Sequence, residues 1–280
     1  MCRLFGFRSV VRSQVHSSLV GADDSLLSLS NKHPDGWGVA YYVENAPHLI
    51  KSESTAINDH LFRRVSGVVS SETVIAHLRK ATLGTINIAN THPFQYGKWV
   101  FAHNGNIRNY TKHRAKLLDL LDDDLARYIL GDTDSELLFF ILLTEMRRVF
   151  SLSESDVPSA ALHKAVARAI TKITDIVGAY ELKDTDPSLT YLTFLLSNGQ
   201  SFLAHHGGQP LWYSTFKSRC SERDTCSSFS EVCEAASKTG LVNHLIFSSE
   251  PITGENIWHE MSAGDFVLIG SDMMLQKKGS

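Results

Sequence analysis

The sequence has no apolar run of the roughly 20 residues that a membrane-spanning helix needs. Its most apolar stretch, residues 137–146, is too short and is bordered by charged side chains. The 27 basic residues form no cluster, and a net charge of -3 offers no basic surface for nucleic acid. Polar and charged residues follow closely after the N-terminus, which is not typical of a secretory signal peptide. We therefore expect a cytoplasmic protein with neither a membrane nor a nucleic-acid partner.

Cysteine is also scarce, with four in 280 residues, so the sequence does not predict a disulfide framework. Cys220, Cys226 and Cys233 lie six and seven residues apart, which does not match a Cys-x-x-Cys zinc pair. Because His205 and His206 lie upstream, a metal site stays open as an alternative. The expectation is reduced thiols, with no metal and no other cofactor.

The composition is that of an ordinary globular protein, 43% hydrophobic and 20% charged. Strand-like runs of apolar and aromatic residues occur at 3–9, 37–43, 73–78, 99–102, 191–196, 201–205, 244–248 and 266–269. Helical periodicity occurs at 17–30, 59–69, 110–121, 135–150 and 159–176. This order of strands, helices and strands favours an α+β fold with antiparallel sheet. We expect one domain over residues 1–280, with 218–238 as a helical or disordered excursion.

The fourth cysteine, Cys2, directly follows Met1. Removal of Met1, which we expect, would leave one residue with both a thiol and a free α-amine. An α-amine with a pKa of about 7.7–8.0 is partly unprotonated near neutral pH and is able to activate a thiol whose pKa is about 8.5. A retained Met1 would block that amine. The alternative interpretation is that Cys2 is a small apolar residue that opens a buried strand.

Three further positions suit a substrate with an amino-acid head group. Arg79 follows a strand-like run and is either a fork for a carboxylate or a surface arginine. Asn104-Gly105 is either a tight turn or an oxyanion hole made from a side-chain amide and a backbone N–H. Asp134 precedes an apolar helix, where it serves as a capping acid, as a partner for an ammonium group, or as both. Together with a thiol, these groups describe acyl transfer on glutamine or another γ-glutamyl amide.

With these residues, the chain resembles the class II glutamine amidotransferases, a family of N-terminal-nucleophile hydrolases. The resemblance rests on seven short motifs in the family's order: MCRLFG (1–6), HPDGWGVA (33–40), HLRKAT (77–82), THPF (91–94), HNGNI (103–107), TDSE (133–136) and SSEPIT (248–253). The DGWG and SEP motifs are most similar to a stand-alone subgroup. That subgroup includes the ergothioneine-pathway γ-glutamyl amidohydrolases and glutathione-degrading amidotransferase subunits.

The resemblance implies a four-layer αββα sandwich with antiparallel sheets. It implies that Cys2 is the nucleophile and that Asn104 and Gly105 form the oxyanion hole. Arg79 would hold the substrate carboxylate, and Asp134 its ammonium group. We further expect Thr82 to line the same pocket, and supporting roles around it for Asp35, Trp37, His92, Ser249 and Glu250.

Two features leave alternatives open. Lys80 stands where the sugar-phosphate-synthesising relatives usually carry tryptophan, so the pocket beyond the shared head group is not defined by the resemblance. Ser249 and Glu250 either order the N-terminus or form a structural turn that ends a strand.

The expected reaction cleaves the γ-amide of glutamine or a γ-glutamyl compound through a thioester and releases ammonia or an amine. Arg79 and Asp134 do not discriminate between these substrates, because both carry the same head group. The motifs end near residue 250, so we expect no synthetase domain; ammonia is released, is passed to a separate acceptor protein, or is not the leaving group. The alternatives are a non-catalytic glutamine-binding regulatory module and a thiol-redox role for Cys2.

Overall fold

The fold consists of two β-sheets with helices on both outer faces. A computed structural model describes residues 2–181, 186, 188–220, 223–224, 226–227, 229–236, 239–254 and 256–279. The strands are β1 (Arg3–Gln14), β2 (Trp37–Val43), β3 (Ala46–Ser52), β4 (Ser70–Leu78), β5 (Phe94–Tyr96), β6 (Trp99–Asn106), β7 (Tyr191–Ser197), β8 (Phe202–His205), β9 (Trp212–Ser214), β10 (His244–Ser248), β11 (His259–Glu260), β12 (Phe266–Ile269) and β13 (Gln276–Lys278). The α-helices are α1 (Leu26–Leu29), α2 (His60–Val68), α3 (Tyr110–Leu118), α4 (Asp123–Ala126), α5 (Asp134–Arg147) and α6 (Ser159–Val177).

The strands form two antiparallel sheets. The first has seven strands in the order β11-β9-β10-β1-β4-β2-β3, and the second has six in the order β13-β12-β8-β7-β6-β5. Strand β1 lies inside the first sheet, paired with β10 on one side and with β4 on the other. Cys2 therefore immediately precedes a central strand, where the backbone that follows it is fixed from both sides.

The alternation of side chains along β1 separates two layers of the core. Leu4 belongs to a hydrophobic cluster between the two sheets, which also contains Phe202 from β8. Phe5 belongs to a cluster that joins the outer face of the first sheet to α1 and α2. A third cluster joins the outer face of the second sheet to α3, α5 and α6. Three clusters between four layers confirm the expected α+β fold and its αββα arrangement.

The two sheets approach each other closely near the start of β1. A Cβ atom on Gly6 would lie 2.7 Å from Cζ of Phe202 and 2.9 Å from Cδ1 of Leu195. Glycine at this position in β1 therefore allows the sheets to pack in direct contact. The contact lies four residues from Cys2, so the packing of the sheets also positions the start of the chain.

Helix α5 is almost entirely buried, because its sequence is apolar on nearly all sides and it lies within the third cluster. Thr133 caps it: its Oγ1 accepts a hydrogen bond of 3.3 Å from the backbone N–H of Glu136. The cap places Asp134 in the first turn of the helix. None of the helices in the described part of the chain combines the length and the apolar character that crossing a bilayer requires.

Several expectations for local structure are confirmed, and others are wrong. The helices predicted at 59–69, 110–121, 135–150 and 159–176 are α2, α3, α5 and α6. The helix predicted at 17–30 is wrong as a single element: a π-helix at Ser17–Gly21, α1, and a 3-10 helix at Ser30–Lys32 replace it. The described part of 218–238 contains a 3-10 helix at Glu231–Glu234, and residues 221, 222, 225, 228, 237 and 238, like Met1, lie outside the described residues.

Candidate active site

The Cys2 sulfur is held by the backbone of one residue in the loop that follows β4. Its Sγ accepts a hydrogen bond of 3.3 Å from Lys80 N–H and lies 3.4 Å from Lys80 O, to which the thiol donates. Burial raises the pKa of the Cys2 thiol, and the backbone hydrogen bond from Lys80 acts in the opposite direction. Because a buried thiol with a raised pKa stays protonated near neutral pH, attack by this sulfur requires a nearby base.

The pairing of β6 with β7 leaves a backbone donor free beside the pocket. Gly105 lies opposite Leu192, whose N–H donates instead to Gly207 O at 2.8 Å. In an antiparallel ladder the pairs alternate between bonded and non-bonded, so Gly105 belongs to a non-bonded pair. Its N–H therefore points away from β7, towards the side of β6 on which β5 lies. Strand β5 pairs only with residues 99–101 of β6, so it does not reach Gly105. This is the geometry that a backbone oxyanion donor needs.

Asn104 lies on the opposite face of β6 from Gly105. By alternation it shares the face of Val100 and Ala102, which pack between the two sheets, and Cys2 shares the corresponding face of the first sheet with Leu4. The Asn104 side chain is buried, and its Oδ1 has no hydrogen-bond partner among the described residues. The amide is thus not committed to a structural hydrogen bond at Oδ1.

Arg79 follows β4 and organises the next loop. It is 3% exposed, and its guanidinium donates from Nη1 to Thr85 O at 3.2 Å and from Nη2 to Leu83 O at 3.1 Å. Burial lowers the pKa of Arg79, but an arginine keeps its charge in proteins. A guanidinium has five N–H donors, so three remain for a ligand.

The same loop is tied to the residues before α5. Asn90 donates from Nδ2 to Asp132 Oδ1 at 2.5 Å and accepts at Oδ1 from the backbone N–H of Asp132 at 3.0 Å. Two consecutive backbone N–H groups, those of Leu130 and Gly131, donate to the Glu136 carboxylate at 3.0 and 2.7 Å. These bonds fix the loop that carries Arg79 relative to the first turn of α5.

The Asp134 carboxylate faces the pocket from the N-terminal end of α5. Its Oδ2 accepts a hydrogen bond of 2.6 Å from the backbone N–H of Ile107, and its Oδ1 lies 3.3 Å from Ser135 Oγ. Burial raises the pKa of Asp134, and the nearby His103 and the bond from Ile107 act in the opposite direction. The positive end of the helix dipole further favours a carboxylate at this position.

Three buried histidines surround the pocket. The His77 and His92 rings stack with centroids 4.3 Å apart, and His77 Nε2 donates across the two sheets to His103 O at 3.2 Å. Burial lowers the pKa of His77 to about 3, holds that of His92 well below its usual value, and lowers that of His103. All three rings are therefore neutral near pH 7. Both ring nitrogens of His92 lack a hydrogen-bond partner among the described residues.

Side chains of the last motif, SSEPIT, contact the N-terminal strand. Ser249 Oγ accepts from the Leu4 N–H at 2.9 Å, and Ser249 N–H donates to Leu4 O at 3.1 Å. Glu250 forms an ion pair of 2.7 Å with Arg3 Nε. Both residues therefore contact the start of β1, and their role in ordering the N-terminus stays a prediction. On the other side, the Asp35 carboxylate accepts from the backbone N–H of Ala81 at 2.8 Å.

These groups meet in one small pocket. It is lined by Cys2, Arg79, Lys80, Ala81, Thr82, Leu83, His92, His103, Gly105, Thr133, Asp134 and Ser135. Its free volume is about 20 Å³, enough for about one water molecule. Six of the eleven predicted site residues line the pocket, namely Cys2, Arg79, Thr82, His92, Gly105 and Asp134, whereas Asn104, Asp35, Trp37, Ser249 and Glu250 do not.

Trp37 does not line this pocket. Its indole is fully buried in the layer between the first sheet and α2, 5.0 Å from the Phe62 ring, and its Nε1 donates to Asp59 at 3.0 Å. Its place in a motif therefore reflects packing. In contrast, sequence reasoning gave no role to His103 and Ser135, whose side chains line the pocket and contact each other at 2.9 Å.

In the part of the chain that the structure describes, no group of three or more histidine, cysteine or acidic side chains is arranged to hold a metal ion. A larger cleft, of about 390 Å³, lies between α6 and the second sheet. Its lining is mostly apolar, with His205 and Tyr180 as its titratable side chains, so it lacks the combination of nucleophile, cation and acid that the smaller pocket contains.

Comparisons with known proteins show which family the chain resembles as a whole. The sequence model of the class II glutamine amidotransferases matches residues 1–277. Over 221 residues the chain is 30% identical to the probable glutamine amidotransferase DUG3 of Saccharomyces cerevisiae, covering 72% of this chain and 62% of the yeast protein. It thus spans less than two thirds of that relative's length.

Two further similarities are informative. Over 74 residues, which are 26% of this chain and 32% of the relative, the chain is 36% identical to the gamma-glutamyl-hercynylcysteine sulfoxide hydrolase of Mycobacterium tuberculosis. The solved structure of a glutamine aminotransferase class-II domain protein from Silicibacter pomeroyi superposes with a TM-score of 0.62 at 21% identity, covering 99% of each chain. The latter similarity shows a common fold.

Proposed function

The chain belongs to the class II glutamine amidotransferases, a family of amide-hydrolysing enzymes, and we propose that it cleaves the γ-amide of glutamine or of a γ-glutamyl compound with Cys2 as its nucleophile. The observation that carries the proposal is that Cys2, Arg79 and Asp134 line one pocket although they lie far apart in the sequence. A thiol, a cation and an acid in one pocket suit a substrate with an amino-acid head group and a side-chain amide.

The head group of the substrate binds through two opposite charges. The three N–H donors that Arg79 does not use within the protein receive the α-carboxylate. Asp134, whose Oδ2 already accepts the Ile107 N–H, receives the α-ammonium group. Both partners are buried, so each contact is made in an environment of low dielectric constant. Loss of either charge leaves its partner unpaired, which explains why both are needed.

The chemical step uses the Cys2 amine that removal of Met1 exposes. The amine, directly or through one water molecule, accepts the Sγ proton while sulfur forms a bond to the γ-carbon. The carbonyl oxygen becomes an oxyanion, stabilised by Gly105 N–H and the Asn104 amide. The C–N bond then breaks, and the Cys2 ammonium gives its proton to the leaving nitrogen.

The second half of the reaction hydrolyses the thioester. The Cys2 amine accepts a proton from water, the resulting hydroxide attacks the γ-carbon, and the C–S bond breaks to give glutamate. The ammonium proton returns to the sulfur, which restores the starting state. Removing one oxyanion donor in a comparable site lowers turnover by about 10²–10³.

The choice of substrate depends on groups beyond the shared head. The similarity to a hydrolase named for a γ-glutamyl substrate supports γ-glutamyl compounds, and the family's name supports glutamine. We include both in the proposal.

Where ammonia is the product, we propose that it is released or passed to a separate acceptor protein. We also propose that the two sheets act as one domain and that the protein works in the cytoplasm.

A substrate panel tests the proposal. Protein whose N-terminus is verified by mass spectrometry is incubated with glutamine, γ-glutamyl dipeptides and γ-glutamyl amides, and glutamate is measured together with ammonia or amine. The matched control to Cys2→Ala is Cys226→Ala, because Cys226 lies outside the pocket. We expect activity to vanish in Cys2→Ala and to persist in Cys226→Ala. Glutamate release that is unchanged in Cys2→Ala contradicts the proposal, and binding without turnover by processed protein favours a regulatory module.

A further inference from the structure

Lys80 is a charged residue beside the nucleophile that the reaction proposed above does not use. Its backbone N–H and carbonyl oxygen lie 3.3 and 3.4 Å from Cys2 Sγ, so its side chain begins next to the sulfur. The side chain is exposed, and its ammonium group forms no hydrogen bond or ion pair with the residues that the structure describes. A lysine carries its charge on a long, flexible stem. The ammonium group is therefore available to a ligand that reaches the sulfur.

The pocket is open to solvent along one short stretch of the loop after β4. Of the residues that line it, Lys80 and Thr82 are exposed, and Ala81 and Leu83 are half-buried. Apart from the half-buried Gly105, the other lining residues are buried. We refer to residues 80–83 as the opening. Lys80 is the charged residue of the opening, so its charge faces whatever extends out of the pocket.

The geometry of the proposed reaction directs the leaving group towards the opening. In the tetrahedral intermediate, the γ-carbon carries the Cys2 sulfur, the oxyanion, the carbon chain to the head group and the leaving nitrogen. The oxyanion faces Gly105, and the carbon chain runs to the buried Arg79 and Asp134. The leaving nitrogen takes the direction that remains. A leaving group larger than ammonia therefore extends through the opening, past Lys80.

The other charged groups near the opening already have partners. Arg3 forms an ion pair of 2.7 Å with Glu250. Arg79 is 3% exposed, and its free donors are assigned to the head group of the substrate. The Asp35 carboxylate accepts a backbone N–H of the opening at 2.8 Å. Among the described side chains around the opening, Lys80 is thus the cation that remains for an anionic ligand.

We infer that Lys80 selects the leaving group by binding a carboxylate that the leaving amine carries. The preferred substrates are then γ-glutamyl amino acids, in which the leaving nitrogen and a carboxylate are attached to the same carbon. Glutamine, whose leaving group is ammonia, gains nothing from Lys80. This inference rests on the function proposed above, in which the pocket holds the γ-glutamyl head group. Lys80 determines specificity and takes no part in proton transfer.

The size of the effect follows from the exposure of Lys80. An ion pair at an exposed position is weak, so we expect a preference of about two- to fivefold for a substrate that carries the carboxylate. Salt screens such a pair, so the preference should decline as the ionic strength rises. Apolar contacts with the lysine stem would give a preference that salt does not reduce.

The test compares two substrates of nearly the same shape. γ-Glutamylglycine carries the carboxylate, and γ-glutamylglycinamide has a neutral amide in its place. The full chain, with removal of Met1 verified by mass spectrometry, is assayed for glutamate release from each, and glutamine is the third substrate. The value of kcat/KM for γ-glutamylglycine is divided by that for γ-glutamylglycinamide. This ratio cancels any general loss of activity, so it reports on recognition of the leaving group.

Substitutions of Lys80 separate its charge from its packing. Lys80→Met should bring the ratio to about one, Lys80→Arg should keep the wild-type ratio, and Lys80→Glu should bring it below one. The matched control is Lys164→Met, which removes an exposed lysine of α6 that lies outside the pocket. It should keep the wild-type ratio, because the effect depends on the position of the charge.

Several results would overturn the inference and leave the proposed function intact. They are turnover with a wild-type ratio of about one, a ratio that Lys80→Met does not change, and equal decreases in Lys80→Met and Lys164→Met. A preference that appears only in Asp35→Asn would show that Lys80 pairs with Asp35 within the protein, which also overturns it. Absence of glutamate release from all three substrates removes the proposed function and this inference together.

Discussion

Substitution of Arg79 separates the two tasks that the structure gives to its guanidinium. Within the protein, the guanidinium holds Leu83 O and Thr85 O, and three N–H donors remain for a substrate carboxylate. Arg79→Ala removes both tasks. Arg79→Lys keeps a positive charge but offers a single ammonium group in place of a planar fork.

The magnitudes follow from the buried position of Arg79. A hydrogen bond from a charged group contributes about 1.5–3 kcal/mol, so loss of both loop bonds should lower the free energy of unfolding by about 3–6 kcal/mol. Truncating one partner of a buried charge pair costs about 2–5 kcal/mol in binding. That is a reduction in kcat/KM of about 30-fold to several thousand-fold, mainly through KM. Arg79→Lys should lie between the wild type and Arg79→Ala in both quantities.

The assay combines steady-state kinetics on the preferred substrate with urea unfolding. Arg8→Ala is the matched control, because Arg8 is also a buried arginine, 6% exposed, in β1 of the same sheet, but it lies outside the pocket. It should lose stability with little change in KM. An Arg79→Ala enzyme with unaltered KM, or equal increases in KM for both variants, would show that the substrate carboxylate binds elsewhere.

Three further predictions concern stability. Ser249→Ala leaves the Leu4 N–H without an acceptor 2.9 Å away and should cost about 1–3 kcal/mol in urea unfolding, most of which Ser249→Thr should recover. His92→Phe removes two ring nitrogens that have no partner among the described residues, so the free energy of unfolding should rise by about 1 kcal/mol; a clear fall would reveal an unseen partner. The pKa values of His77 and His205 are lowered to about 3 from an unfolded value of about 6.5, so they favour folding above pH 6.5, and stability should fall as the pH drops from there. Unfolding free energies that are equal at pH 7 and pH 5 would contradict this assignment.

The fold was predictable where its causes are local. Helices α2, α3, α5 and α6 follow from hydrophobic periodicity, and α2 and α5 also have side-chain caps; both signals involve residues at most a few positions apart. Short edge strands such as β11, with two residues, and β13, with three, have too few residues to show a pattern. They form because a neighbouring strand offers free hydrogen-bonding groups, and for β11 that neighbour, β9, is distant in the sequence.

The candidate site was likewise predictable from residue types and motifs but not from contacts between distant segments. The types of Cys2, Arg79 and Asp134 suggest their chemistry from the sequence alone, and the resemblance assigns them roles that remain predictions. The contact between His77 and His103 O was not predictable, because it joins different sheets. Nor did the sequence indicate that the His103 and Ser135 side chains contact each other at 2.9 Å. Trp37 was expected to support the pocket because it belongs to a motif. Its indole packs against Phe62, which shows that residues of a motif also serve packing.

The candidate site is assembled from both sheets, so its geometry depends on the packing between them. Cys2 precedes β1 in the first sheet, whereas Gly105 belongs to β6 in the second, and Asp134 begins the helix packed on the outer face of that second sheet. Each sheet alone provides only part of the chemistry. The Cys2 sulfur can meet the proposed oxyanion donors only if the cluster between the sheets is closely packed, as it is where Gly6 approaches Phe202. Loss of packing at that interface therefore displaces the nucleophile from the groups that would bind the substrate, before either sheet unfolds.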